Sequence, residues 1–99
     1  MAITKNYLKT KPVCKVTFTL PEAEAEKVAV VGDFNNWKPT KKYELKKLKN
    51  GNFKGTIDLE KGASYQFRYL VDGAYKNDEQ ADSYAFNEFA GTENSVLEL

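Results

Sequence analysis

Histidine is missing from this 99-residue chain, which holds one cysteine, one tryptophan and one methionine. Without histidine it lacks the commonest general base and the commonest metal ligand, and no metal or cofactor is expected. The single cysteine, Cys14, has no partner for an intramolecular disulfide. Excess charge is absent too. Fifteen basic residues against 14 acidic ones leave a net +1, which points to neither nucleic acid nor a membrane surface. Only Arg68 among the basic residues is an arginine. Lysine is the ordinary solubilising charge, whereas arginine is preferred for phosphate forks and base edges. No apolar run reaches membrane-spanning length, and the polar first ten residues hold no signal-peptide core. A cytoplasmic location is expected.

What is present suits a single β-rich core. The chain is 41% hydrophobic and 13% aromatic, enough for one domain and too short for two. The lysine-rich residues 1–11 read as an N-terminal arm that docks, if at all, through Tyr7 and Leu8. Residues 12–99 form the domain. Its pivot is Val28-Ala29-Val30-Val31-Gly32-Asp33-Phe34-Asn35-Asn36-Trp37. The apolar run reads as a strand buried on both faces, and Gly32, Asp33, Asn35 and Asn36 supply turn chemistry. Trp37 ends a polar loop instead of sitting in an apolar run. Two readings stand: a flat aromatic surface offered outward, or a ring folded back over one end of the core.

Before the pivot, Cys14, Val16, Phe18 and Leu20 alternate with Lys15, Thr17 and Thr19, a half-buried strand that puts Cys14 in the core. Glu22 to Lys27 is too short to hold a helix and reads as a connector. After the pivot, Tyr43, Leu45 and Leu48 suggest a short strand with a slipped period. Asn50-Gly51 turns it into a strand with Phe53, Ile57 and Leu59 inward, where Gly55 marks a close approach. Its lysines read as solvated edge protection, with anion binding the lesser alternative. Tyr65, Phe67, Tyr69 and Val71 then make an inward aromatic face, with Gln66, Arg68 and Leu70 outward. Asp72-Gly73 signals a primed turn ahead of Tyr75. Lys76 to Gly91 has no clean period, though it carries Tyr84, Phe86 and Phe89; such a loop is functional or pinned by its own aromatics. Val96, Leu97 and Leu99 close the chain. About seven short strands with almost no helix predict an all-β sandwich of two antiparallel sheets.

Three motifs carry a resemblance. Gly32-Asp33-Phe34-Asn35-Asn36-Trp37, Phe67-Arg68-Tyr69-Leu70-Val71-Asp72-Gly73-Ala74-Tyr75 and Gly91-Thr92-Glu93-Asn94-Ser95 resemble the glycogen-binding modules of carbohydrate-binding module family 48. Those modules occur in the beta subunits of AMP-activated protein kinase and at the N-termini of isoamylases and branching enzymes. The likeness runs from about Val16 to Leu99. It implies an early-set immunoglobulin-like sandwich. A free-standing chain of this length also resembles small bacterial isolated isoamylase early-set domains. In the kinase modules two tryptophans, a lysine and an asparagine grip the sugar. Trp37 matches the first tryptophan, Arg68 falls where the lysine lies, Tyr75 takes the second tryptophan's place and Asn94 the asparagine's. Thr92 matches a threonine beside it, and Ala90 stands where a leucine fills the ring of a cyclic glucan. Tyrosine for tryptophan and alanine for leucine imply weaker binding or a shifted preference.

The chemistry agrees with the likeness. An α-1,4-glucan is neutral, with apolar C–H faces that lie on aromatic rings and hydroxyls that need fixed donors and acceptors. Arg68 only donates, while Asn94 and Thr92 can do both. Arg68 lies opposite the core face and is expected to reach solvent, as a sugar contact or in a surface ion pair. Tyr75 as hairpin-end packing and Asn94 as a turn residue remain the alternatives at those positions. The expected function is non-catalytic binding of α-glucan (glycogen, starch or maltooligosaccharide), at roughly 10 μM to millimolar Kd. A glycogen-metabolising enzyme or other protein is a candidate partner. Glycoside chemistry needs two carboxylates held across the bond. Asp33, Asp72, Asp78 and Asp82 read as turn residues, so no enzyme is expected. The competing expectation is a structural or protein-interaction early-set domain that binds no sugar, with an apolar patch at Phe86 or Phe89.

Overall fold

The computed structural model describes residues 2–38, 40–87 and 91–99, with the backbone alone at residues 2 and 87. Two antiparallel sheets form a sandwich. The first orders β1 (Ala2–Tyr7), β2 (Val13–Leu20), β5 (Phe53–Glu60) and β4 (Lys46–Lys47). The second orders β3 (Val28–Gly32), β6 (Ser64–Val71), β9 (Thr92–Glu98) and β8 (Ser83–Asn87), with β7 (Ala74–Lys76) also paired to β6. The strands exceed the expected seven because tertiary pairing recruits segments without a period of their own. Ala2–Tyr7 runs along β2 from Ala2 opposite Thr19 to Tyr7 opposite Cys14, so the arm docks by backbone pairing while Tyr7 stays exposed. Ser83–Asn87, inside the stretch expected to be a loop, pairs with β9. The Tyr43–Leu48 strand is reduced to β4, preceded by a single 3-10 turn at Lys41–Tyr43.

Alternation places the core between the sheets. Cys14, Val16, Phe18 and Leu20 of β2 meet Val28 and Val30 of β3 and Phe67 and Tyr69 of β6 in one buried cluster. Phe18 lies 5.5 Å from Phe67 and 5.9 Å from Tyr69, ring centroid to centroid, within the range where tilted aromatic pairs attract. β3 is buried along its whole length, as its unbroken apolar run requires. Two glycines permit close approaches. A Cβ on Gly32 would stand 2.4 Å from the Gln66 carbonyl oxygen, and one on Gly55 would meet Leu45 Cδ2 at 2.5 Å. Leu45, whose N–H donates to the Val28 carbonyl at 2.8 Å, thereby plugs the margin between the sheets. At the far margin Lys5 Nζ pairs with Asp82 at 2.6 Å. Burial opposes ionisation of Asp82, but bonds from Lys5 and the Glu98 N–H, with the Lys5 charge, hold its carboxyl below the usual range.

Candidate functional site

The outward face of the second sheet follows from the same alternation. With Phe67 and Tyr69 inward, Gln66, Arg68 and Leu70 point away from the core. Across β6, Leu70 faces Ala29 on one side and Tyr75 on the other, and Arg68 faces Val31. The β6–β9 register ends at Phe67 opposite Ser95, so one further step brings Asn94 beside Arg68. Three residues expected from sequence, Arg68, Tyr75 and Asn94, therefore share one patch of one face. Thr92, exposed at the start of β9, is two residues from Asn94 and on its side of the strand.

The polar groups of this patch are unusually dry. Arg68 is only 8% exposed, against the expectation that it reaches solvent. The reason is topological: β7 and β9 flank the same edge of β6, and the Tyr75 ring lies over the guanidinium at 5.9 Å from Cζ. Its Nη2 donates to the Glu93 carbonyl at 3.1 Å, so the contact is to backbone and not the surface ion pair considered above. Asn94 is 2% exposed and donates from Nδ2 to Gln66 Oε1 at 2.9 Å. Arg68 Nε and Asn94 Oδ1 have no hydrogen-bond partner among the described residues. A buried donor and a buried acceptor are thus left open on adjacent strands, where such groups are normally satisfied. Tyr75 itself is 58% exposed.

A second polar network holds β9 in place. Asn77 donates to the Glu93 carbonyl at 2.7 Å and accepts from the Ser95 N–H and hydroxyl, each at 3.0 Å. Asp78, fully buried, accepts from the Tyr69 hydroxyl at 2.6 Å and the Gln80 N–H at 2.7 Å. The Tyr84 hydroxyl donates to the Asp78 carbonyl at 2.6 Å. Burial, then the bond to the Asp78 carboxylate, push the Tyr69 phenol far above its ordinary pKa. Gln66 was legible from alternation as an outward residue. Asn77 was not, and Asp78 was read only as a turn residue, which its bond from the Gln80 N–H fits, because the segment that carries them has no period.

Trp37 stands at the end of the neighbouring strand. Asn35 Oδ1 accepts from the Gly32 N–H at 2.9 Å and its Nδ2 donates to the Val30 carbonyl at 3.1 Å, curling the chain into a 3-10 turn over Asp33–Asn35. The Trp37 N–H then donates to the Gly32 carbonyl at 3.0 Å, one residue from the Val31–Arg68 pair. Asn36 and Trp37 have φ of 56° and 59°. Left-handed backbone is ordinary for asparagine but strained for a bulky residue, and such strain concentrates at functional sites. The indole is half-buried, between the two readings of the sequence. Ala90 and Phe89 lie outside the described residues. Phe86, 67% exposed, and Tyr84, 42% exposed, stand on edge strand β8 and alternate away from Asn94.

The acidic residues are spread over separate structural tasks. Asp33 accepts from the Gln66 N–H, Asp72 from the Glu26 and Lys27 N–H groups, and Asp82 from Lys5 and the Glu98 N–H.

Comparison with known proteins points in one direction. The family model described as the glycogen recognition site of AMP-activated protein kinase matches residues 14–99. A 1,4-alpha-glucan branching enzyme of Clostridium perfringens strain 13 is 34% identical over 73 residues, 72% of this chain and 11% of the enzyme. A second, from strain ATCC 13124, is 33% identical over the same shares. The chain spans about a tenth of the length of these relatives.

Proposed function

On the premise that the chain belongs to the family of the AMP-activated protein kinase glycogen recognition site, we propose that it binds α-1,4-glucan without acting on it. The observation that carries the reading is the outward patch of Arg68, Tyr75 and Asn94. Its exposed phenol lies beside a buried N–H donor and a buried oxygen acceptor that no group among the described residues takes up. A sugar hydroxyl is both acceptor and donor, so it suits an open N–H and an open oxygen alike. The exposed Tyr75 ring receives the C–H face of a glucose unit. Trp37 extends the aromatic surface from the end of β3, and Thr92 adds a hydroxyl along β9. With one large exposed ring and few fixed polar contacts, Kd falls between roughly 10 μM and the millimolar range.

The test is a titration with maltoheptaose or β-cyclodextrin followed by Trp37 fluorescence, repeated on Trp37→Ala by calorimetry. Saturable quenching in the parent chain and weakened heat of binding in the variant support the reading. A flat response to millimolar glucan overturns it. A second reading, a protein-docking domain, is favoured by exposed Phe86 and Tyr84 on the open edge of β8. It predicts a loss of partner binding on Phe86→Ser with no glucan response at all.

A further inference from the structure

The outward face of the second sheet continues beyond Arg68 into a cavity of about 270 Å³, lined by Lys27, Ala29, Leu70, Asp72 and Gly73. Its floor is the Ala29–Leu70 pair, and Leu70 is also the residue directly opposite Tyr75. Ala29 is 2% exposed yet stands outside the core cluster, as a residue on the outer face should. Two residues along β6 separate Arg68 from Leu70, about 7 Å. One oligosaccharide can span both.

We propose that this cavity is a second subsite, taking one further glucose unit of the glucan held at Tyr75 and Arg68; the inference rests on the glucan reading above. Its volume lies near the lower limit of small-molecule pockets, roughly 300 Å³, which suits a single ring. Partly exposed Leu70, backed by buried Ala29, gives the apolar floor that a pyranose C–H face needs. The rim is preset. Asp72 Oδ1 accepts from the Glu26 N–H at 3.0 Å and the Lys27 N–H at 2.8 Å, and the Asp72 N–H donates to the Lys27 carbonyl at 2.9 Å. The carboxylate is fixed in place with acceptor capacity left for hydroxyls. Lys27 Nζ pairs with Glu44 Oε1 at 2.9 Å, so it brings no unpaired cation to the rim. A neutral, hydroxylated ring fits that lining. The turn below is held by φ of +48° at Asp72 and +87° at Gly73, leaving little to order on binding.

The experiment compares methyl α-glucoside, which fills a single subsite, with maltotriose, which is long enough for both, on the full chain by calorimetry and by amide shifts in NMR. Binding of maltotriose moves the Ala29 and Gly73 amides as well as that of Tyr75, and is tighter than methyl α-glucoside by about fivefold. Ala29→Phe fills the cavity and removes the length advantage while methyl α-glucoside binding stays. Asp72→Asn, which tolerates the left-handed backbone, lowers the same advantage if the phenylalanine variant does not fold. Shifts confined to Trp37, Tyr75 and Asn94, with equal affinity for both sugars, overturn the second subsite and leave the glucan reading intact. An absence of shifts with either sugar overturns both.

Discussion

Replacing Tyr75 with alanine removes the most exposed aromatic ring of the candidate site among the described residues. At 58% exposure, a side chain that buries about 200 Å² when fully covered leaves about 115 Å² of ring available. A sugar stacked on one face covers about half of that, about 60 Å². At about 25 cal/mol per Å² this amounts to about 1.5 kcal/mol, or about tenfold in Kd. Because the ring is exposed, folding stability should fall by only about 0.5–1 kcal/mol, the worth of its contact with Arg68. The assay is calorimetric titration of parent and Tyr75→Ala with maltoheptaose, alongside urea unfolding of both. Affinity weakened about tenfold with a nearly unchanged unfolding midpoint supports the stacking argument. If parent and variant bind within twofold of each other, Tyr75 is hairpin packing and the stacking surface lies elsewhere.

Tyr69→Phe deletes a 2.6 Å bond to a fully buried carboxylate, and urea unfolding should show a loss of about 2 kcal/mol. The raised Tyr69 pKa stabilises the fold fully below the ordinary phenol value of 10.0. That contribution is lost as pH rises, since the unfolded phenol ionises first, so stability should fall above pH 10 more steeply in the parent than in the variant. Asn77→Ala leaves the buried Ser95 N–H without its partner, at about 2 kcal/mol, and should weaken maltoheptaose binding by releasing the Glu93–Ser95 segment; undiminished affinity of the folded variant would break that link. The depressed Asp82 pKa stabilises above the ordinary carboxylate value of 3.8 and is lost as pH falls through the lowered one. Amide protection factors in β1, corrected for the intrinsic pH dependence of exchange, should therefore fall on acidification below pH 4, and Asp82→Asn should show the lower protection already at neutral pH. Gly32→Ala forces a Cβ to within 2.4 Å of the Gln66 carbonyl, and a drop of about 1–3 kcal/mol in unfolding free energy is expected.

Local sequence sufficed wherever one residue's environment is set by its immediate neighbours. Alternation sorted β2 and β6 into core and outward faces, Asp72-Gly73 specified a tight turn with both residues left-handed, and Gly55 marked the spot where Leu45 packs. The candidate site residues were likewise nameable, because Trp37, Arg68, Tyr75 and Asn94 sit in short motifs that resemble those of the glycogen-binding modules. What those motifs do not encode is dryness. Arg68 loses its water only because β7 and β9 close along the same edge of β6 and carry Tyr75 and Asn94 onto it. Asn77 and Asp78 acquire their roles from groups 9 to 18 residues away in sequence, and the arm and β8 become strands only by borrowing a partner's open edge. Pleat and turn chemistry are properties of adjacent residues, whereas burial of a polar group and pairing of an aperiodic strand depend on which distant segments the fold brings alongside.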